Sequence, residues 1–151
     1  MIGIIKIGIG NIASLINLFE ELGYEAEAIT EPEDLTNYSV IVLPGVGSFD
    51  QAISKLKKNG FRDLILSVVK RQEVKIFGIC LGMQVLFESS EEGELSGLGI
   101  LKGSFTKFNT KRTHMGWNTV NPQPICEPAR FYFVHNYALV EAPPQEVEIY
   151  R

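Results

Sequence analysis

The chain has 151 residues, of which 45% are hydrophobic and 21% charged, and its formal net charge is −4. That length suits one domain around one core, and the composition is that of an ordinary soluble globular protein. The acidic balance leaves no basic stripe for a nucleic acid, and Lys55, Lys57 and Lys58 read as a solvated helix face.

Residues 2–7 are an apolar run ending at Gly8 and Gly10, which predicts a buried strand. Asn11 is a candidate N-cap for a helix over 12–22, with Leu15, Leu18, Phe19 and Leu22 at helical spacing and Gly23 as its stop. Residues 24–29 predict a second strand and 31–35 a helical turn. A third buried strand is predicted over 40–43, stopped by Pro44-Gly45-Val46-Gly47. Helices follow over 49–57 and 61–71, then a strand over 74–79 and a helix over 81–90. Strands alternating with helices predict an α/β fold with a doubly wound, mostly parallel sheet. Beyond Gly93 the pattern changes to short strands over 97–101, 105–108, 117–120, 131–134, 137–140 and 147–150, expected to be antiparallel. No repeat or low-complexity linker divides the chain, so residues 1–151 read as a single domain.

No run is long and apolar enough to span a membrane, and the N-terminus lacks the regions of a signal peptide, so a cytoplasmic location is expected. Two cysteines, Cys80 and Cys126, and two histidines, His114 and His135, make neither a disulfide framework nor a metal spacing. No metal is assigned.

The strongest chemical signal is Gly78-Ile79-Cys80-Leu81-Gly82, between a predicted buried strand and a predicted helix. Flanking glycines permit a sharp turn, as in a nucleophile elbow with cysteine in place of serine. A helix beginning at Cys80 favours the thiolate, and the carboxyl end of a parallel strand is where open α/β sheets bind ligands. A buried core cysteine is the competing reading, and the paired glycines weigh against it. Pro44-Gly45-Val46-Gly47 offers backbone N–H groups for a developing oxyanion, although alone it is only a tight turn. His114 and His135 are the only histidines available as bases, yet a histidine in an aromatic strand is more often structural. Gly8-Ile9-Gly10-Asn11 lacks the third glycine and the ribose carboxylate of a dinucleotide fingerprint, so no cofactor is assigned.

GNIASL, LPGVGSFDQAI, GICLGMQVLFESSEEG, GLGIL, HMGWN and FYFVHNY occur in an order that resembles the class I glutamine amidotransferases. Within them the chain is most similar to the glutaminase subunits that serve imidazole glycerol phosphate synthesis in histidine biosynthesis. The resemblance spans essentially the whole chain. It implies a flavodoxin-like α/β sheet with a C-terminal antiparallel extension. It also implies that Cys80 attacks the side-chain amide of glutamine, giving a glutamyl thioester and ammonia. By the same resemblance Gly47 and Leu81 supply the oxyanion site, and Gly45, Gln84, Asn136 and Tyr137 hold the substrate. The ammonia passes to a synthase partner, usually a (β/α)₈ barrel, in a heterodimer whose interface would include Trp117, Asn118 and Tyr132.

Two departures stand out. The family continues into a His-Pro-Glu segment that carries the general base and the carboxylate orienting it, and residues 1–151 contain none. The domain is therefore expected to be C-terminally shortened, with apolar sheet surface left uncovered or bound to something. Lys6 stands where the family usually has the aspartate of IIDYG. These departures keep two further readings open: an amidotransferase subunit for amidino modification of surface sugars, and a non-catalytic scaffold that has lost its base. Another elbow-cysteine α/β protein, such as a peptidase or redox sensor, fits HMGWN poorly.

Overall fold

The isoleucines that follow Met1 suit a strand covered on both faces, because β-branched side chains pack well on a pleated surface. In the computed structural model, which describes residues 1–72, 74–108, 113–120 and 128–140, they form β1 (Ile2–Ile5). Helix α1 (Ile12–Glu21) opens with the Asn11 side chain accepting the Ser14 N–H at 3.3 Å, as the sequence predicts. Strand β2 (Ala26–Ile29), a 3-10 turn (Pro32–Asn37) and β3 (Val40–Gly45) follow. Two ten-residue helices, α2 (Phe49–Lys58) and α3 (Phe61–Lys70), lead to β4 (Lys75–Cys80) and the short α4 (Leu81–Gln84).

These four strands form one parallel sheet in the order β2-β1-β3-β4, the flavodoxin-like arrangement that the sequence implies. Connections leave β1 towards β2 and leave β3 the opposite way towards β4. Right-handed crossovers then put α1 on one face and α2 with α3 on the other. The second face is the core. Phe49, Leu56, Phe61 and Ile65 pack with Ile5, Ile41 and Leu43, all fully buried. Tyr38 closes that core near β2, its hydroxyl donating to Glu27 Oε1 at 2.8 Å. Burial, then the Glu27 carboxylate, pushes the Tyr38 phenol up to about 12.

The α1 face is thinner. No residue of α1 is fully buried, and on the edge strand β4 Phe77 is 49% exposed. Lys6 lies exposed just past β1, its backbone N–H donating to Ile29 O at 2.9 Å, and nothing in the structure explains its charge.

The expected helix over 81–90 is not formed: only its first turn is helical. The carbonyls that would continue it are taken from outside. Val85 O accepts Leu98 N–H at 2.8 Å, Leu86 O accepts Ile100 N–H at 2.9 Å, Phe87 O accepts Gly99 N–H at 3.1 Å and Glu88 O accepts Gly97 N–H at 2.8 Å. Burial agrees, because Val85, Leu86 and Phe87 are consecutive core residues rather than one stripe of a helix. Residues 97–101, expected as a strand, are the loop that makes these bonds.

The chain then forms β5 (Ser89–Ser90), β6 (Ser104–Lys107), β7 (His114–Val120), β8 (Ala129–His135) and β9 (Tyr137–Leu139). β6 pairs parallel with β5 and antiparallel with β9, while β7 and β8 form an antiparallel hairpin of their own. Phe87 and Phe105 meet edge to face at 5.1 Å, joining β6 to the core. The strand expected over 147–150 and Cys126 lie outside the described residues. Among those residues, no helix is long and apolar enough to cross a membrane.

Candidate active site

Strand β3 was expected to stop at Pro44, but it runs on through Gly45. Its ladder with β1 ends at the Ile4–Val42 pair, so beyond Val42 it has only β4 as a neighbour. There the missing N–H of Pro44 costs no bond on the β1 side. This extension aligns Gly45 directly with Cys80.

Cys80 ends β4 and caps α4 with φ 54° and ψ −116°, outside the regions that residues with a Cβ normally occupy. Such a turn at the end of a parallel strand is the geometry of a nucleophile elbow. Three glycines permit it by close approach. A Cβ on Gly82 would fall onto the Leu43 carbonyl oxygen. One on Gly78 would lie 2.6 Å from Met83 Cα, and one on Gly45 2.6 Å from the Gly82 nitrogen. The thiol is left exposed. With α4 reduced to one turn, the macrodipole argument for a thiolate loses most of its weight, since the dipole grows by aligning successive peptides.

Of the residues implicated by sequence, Cys80, Leu81 and Gln84 belong to this single strand–turn–helix unit, and Gly45 lies beside it at the end of β3. Leu81 is buried as the first residue of α4, and Gly47 lies exposed two residues past β3 at φ 111°. The Gln84 side-chain oxygen accepts the Ser90 hydroxyl at 3.2 Å. Beside it stands Glu92, which the sequence reading passed over. Burial pushes the Glu92 carboxyl up from its ordinary 4.5, and a bond from the Gln84 side chain pulls it part of the way back. The acidic run Glu91-Glu92 after Ser89-Ser90 was the available signal, and it reads in sequence as a solvated loop.

Asn136 and Tyr137 lie elsewhere, where β8 turns into β9. Asn136 O accepts the Phe108 N–H at 2.9 Å, and Tyr137 pairs with Lys107. Among the described residues no hydrogen bond joins them to the elbow. Trp117 and Tyr132 face each other across the hairpin with ring centroids 5.6 Å apart, and the Arg130 guanidinium lies 5.8 Å from the Trp117 ring. Trp117 is 61% and Tyr132 54% exposed. Strand alternation puts Asn118 on the opposite face, and its side-chain nitrogen lies 2.8 Å from His114 Nε2.

The histidines form one chain with Asn118. His114 Nδ1 is 2.7 Å from His135 Nε2, and His135 Nδ1 is 2.9 Å from the Tyr137 carbonyl. A carbonyl only accepts, so His135 donates from Nδ1, His114 donates from Nδ1 to His135, and Asn118 donates to His114. Every ring nitrogen is occupied in this chain. No group of three or more metal-binding side chains occurs among the described residues.

Residues 8–142 match the CobB/CobQ-like glutamine amidotransferase domain. The imidazole glycerol phosphate synthase subunit HisH 2 of Methanococcus maripaludis is 39% identical over 93% of this chain and 75% of its own. The subunit of the same name from Pseudomonas aeruginosa is 39% identical over 97% and 78%, respectively. The HisH subunit of Desulfitobacterium hafniense is 42% identical over 91% of this chain and 69% of its own. A solved structure described as a glutamine amidotransferase superposes with a TM-score of 0.81 at 17% identity, over 95% of this chain and 75% of that one, which shows a shared fold. The elbow at Cys80 and the match over nearly the whole chain lead to one conclusion: the chain belongs to the class I glutamine amidotransferase family.

Proposed function

We propose that the chain is the glutaminase subunit of a heterodimeric amidotransferase, releasing ammonia from glutamine for a synthase partner that makes imidazole glycerol phosphate in histidine biosynthesis. The observation that carries this reading is Cys80, held exposed at a positive φ on a strand–helix elbow. Its sulfur attacks the side-chain amide carbon, the C–N bond breaks, and ammonia departs with an added proton. Water then cleaves the thioester to glutamate. The backbone N–H groups of Gly47 and Leu81 stabilise the oxyanion. Gly45, Gln84 and the backbone at Asn136 and Tyr137 hold the substrate, and Glu92 offers a carboxylate to its α-ammonium group.

Both histidines are committed to the hairpin chain, so neither is assigned as the general base. In this reading the base comes from outside residues 1–151, through further chain or through the partner. The outer face of the β7–β8 hairpin, with Trp117 and Tyr132, meets that partner, a (β/α)₈ barrel, and Asn118 supports it from the inner face. In this reading the complex works in the cytoplasm, where thiols remain reduced.

Incubation with a chloroketone analogue of glutamine tests the reading. Stoichiometric, saturable labelling of Cys80 that excess glutamine blocks is expected, and Cys80→Ala should lower glutaminase turnover in the complex by about 10³-fold or more. Cys80 inert to the analogue while the partner still binds would show a scaffold instead.

A further inference from the structure

Residues 91–95 follow β5, and their five N–H groups can be accounted for one by one. Glu91 N–H donates to Phe105 O at 2.9 Å, Glu92 N–H to Ser90 Oγ at 3.2 Å and Gly93 N–H to Ser90 O at 3.1 Å. Those of Glu94 and Leu95 go to a single side chain far away in sequence. Glu94 N–H donates to Asp50 Oδ2 at 3.1 Å, and Leu95 N–H donates to Asp50 Oδ1 at 3.0 Å. Asp50 sits in the first turn of α2, where the helix favours a negative charge, and α2 begins directly after the Pro44-Gly45-Val46-Gly47 turn. The approach is close: a Cβ on Gly93 would fall onto Asp50 Oδ1 and lie 3.0 Å from the Phe49 ring. On the other side of the loop, Ser90 Oγ joins Glu92 N–H to the Gln84 side chain.

We infer that Asp50 is a positioning residue for glutamine binding, whose carboxylate fixes residues 93–95 so that Glu92 stands beside Gln84, one turn from Cys80. The inference rests on the glutamine-site reading and adds to it the element that holds the acidic side of the site. A carboxylate suits the task because it accepts two backbone N–H groups at once, in charge-assisted bonds, without needing a donor in return. Asparagine keeps the shape but accepts only one, and turns an NH2 group against the other N–H.

The test uses the whole chain and follows the rate of Cys80 modification against the concentration of the glutamine chloroketone. In Asp50→Asn the half-saturating concentration should rise about tenfold. The maximal rate of modification, and the rate with iodoacetamide, should stay within about twofold of wild type, because the elbow itself is untouched. Gly93→Ala adds one methyl group and displaces the loop from the clamp without altering any charge, so it should show the same split. If Asp50→Asn loses its cooperative thermal transition, Gly93→Ala decides. An unchanged half-saturation in a variant that still melts cooperatively, or a fall in maximal rate without a change in half-saturation, overturns the role of Asp50 alone. Wild-type protein that shows no saturation overturns the glutamine site and this inference with it.

Discussion

The parallel sheet and the β7–β8 hairpin are held by different forces. In the sheet, β1 and β3 are buried on both faces, and the approach of α4 to β3 and β4 leaves no room for side chains at Gly45, Gly78 or Gly82. In the hairpin, seven residue pairs are in register, yet Met115, Trp117, Phe131, Tyr132 and Val134 remain largely in solvent. Its order comes from cross-strand neighbours and from the chain through His114 and His135 rather than from burial. The element that presents the thiol is therefore held by its contacts with β3 and α4, although β4 itself lies at the sheet edge. The element that presents a broad apolar surface is fixed mainly by itself, leaving that surface free for something else.

Three substitutions can break or sharpen this contrast. Phe61→Ala empties a fully buried site between α3 and the sheet, and should cost about 3–5 kcal/mol in denaturant unfolding. A cost below about 1 kcal/mol would mean that packing does not hold the sheet as described. Gly82→Ala puts a methyl group against the Leu43 carbonyl, and should cost about 1–3 kcal/mol while slowing modification of Cys80 by the glutamine analogue more than about tenfold. Normal reactivity in that variant would show that the elbow does not depend on the close approach of α4 to β3. Trp117→Ala removes one cross-strand pair and should cost no more than about 1 kcal/mol of stability, yet weaken binding of the synthase partner by about 2 kcal/mol, measured calorimetrically. The opposite result, a destabilised chain with undiminished binding, would make Trp117 part of the hairpin's own structure.

Much of the sheet was legible because its signals are local. The Asn11 cap, the apolar run after Met1 and the glycines around Cys80 each report on their own neighbourhood. What escaped the sequence depended on distant partners. Residues 85–88 have the composition of a helix, but their carbonyls are claimed by residues 97–101. Pro44 reads as a stop, but it stands where β3 has lost its neighbour on one side. Asp50 and Glu92 resemble any surface acids until the fold brings α2 against the loop after β5. The antiparallel pairs were visible as apolar runs, whereas the separation of β7 and β8 into their own sheet was not, because a strand pattern does not name its partner.

The backbone at Cys80 has one more consequence. A residue with a Cβ in that region costs roughly 1–3 kcal/mol that glycine would avoid. Random mutation towards a sturdier protein therefore runs against the thiol at this position, in opposition to what chemistry demands. A lineage that no longer used the site would have a single-step route to greater robustness, and that route would delete the thiol first.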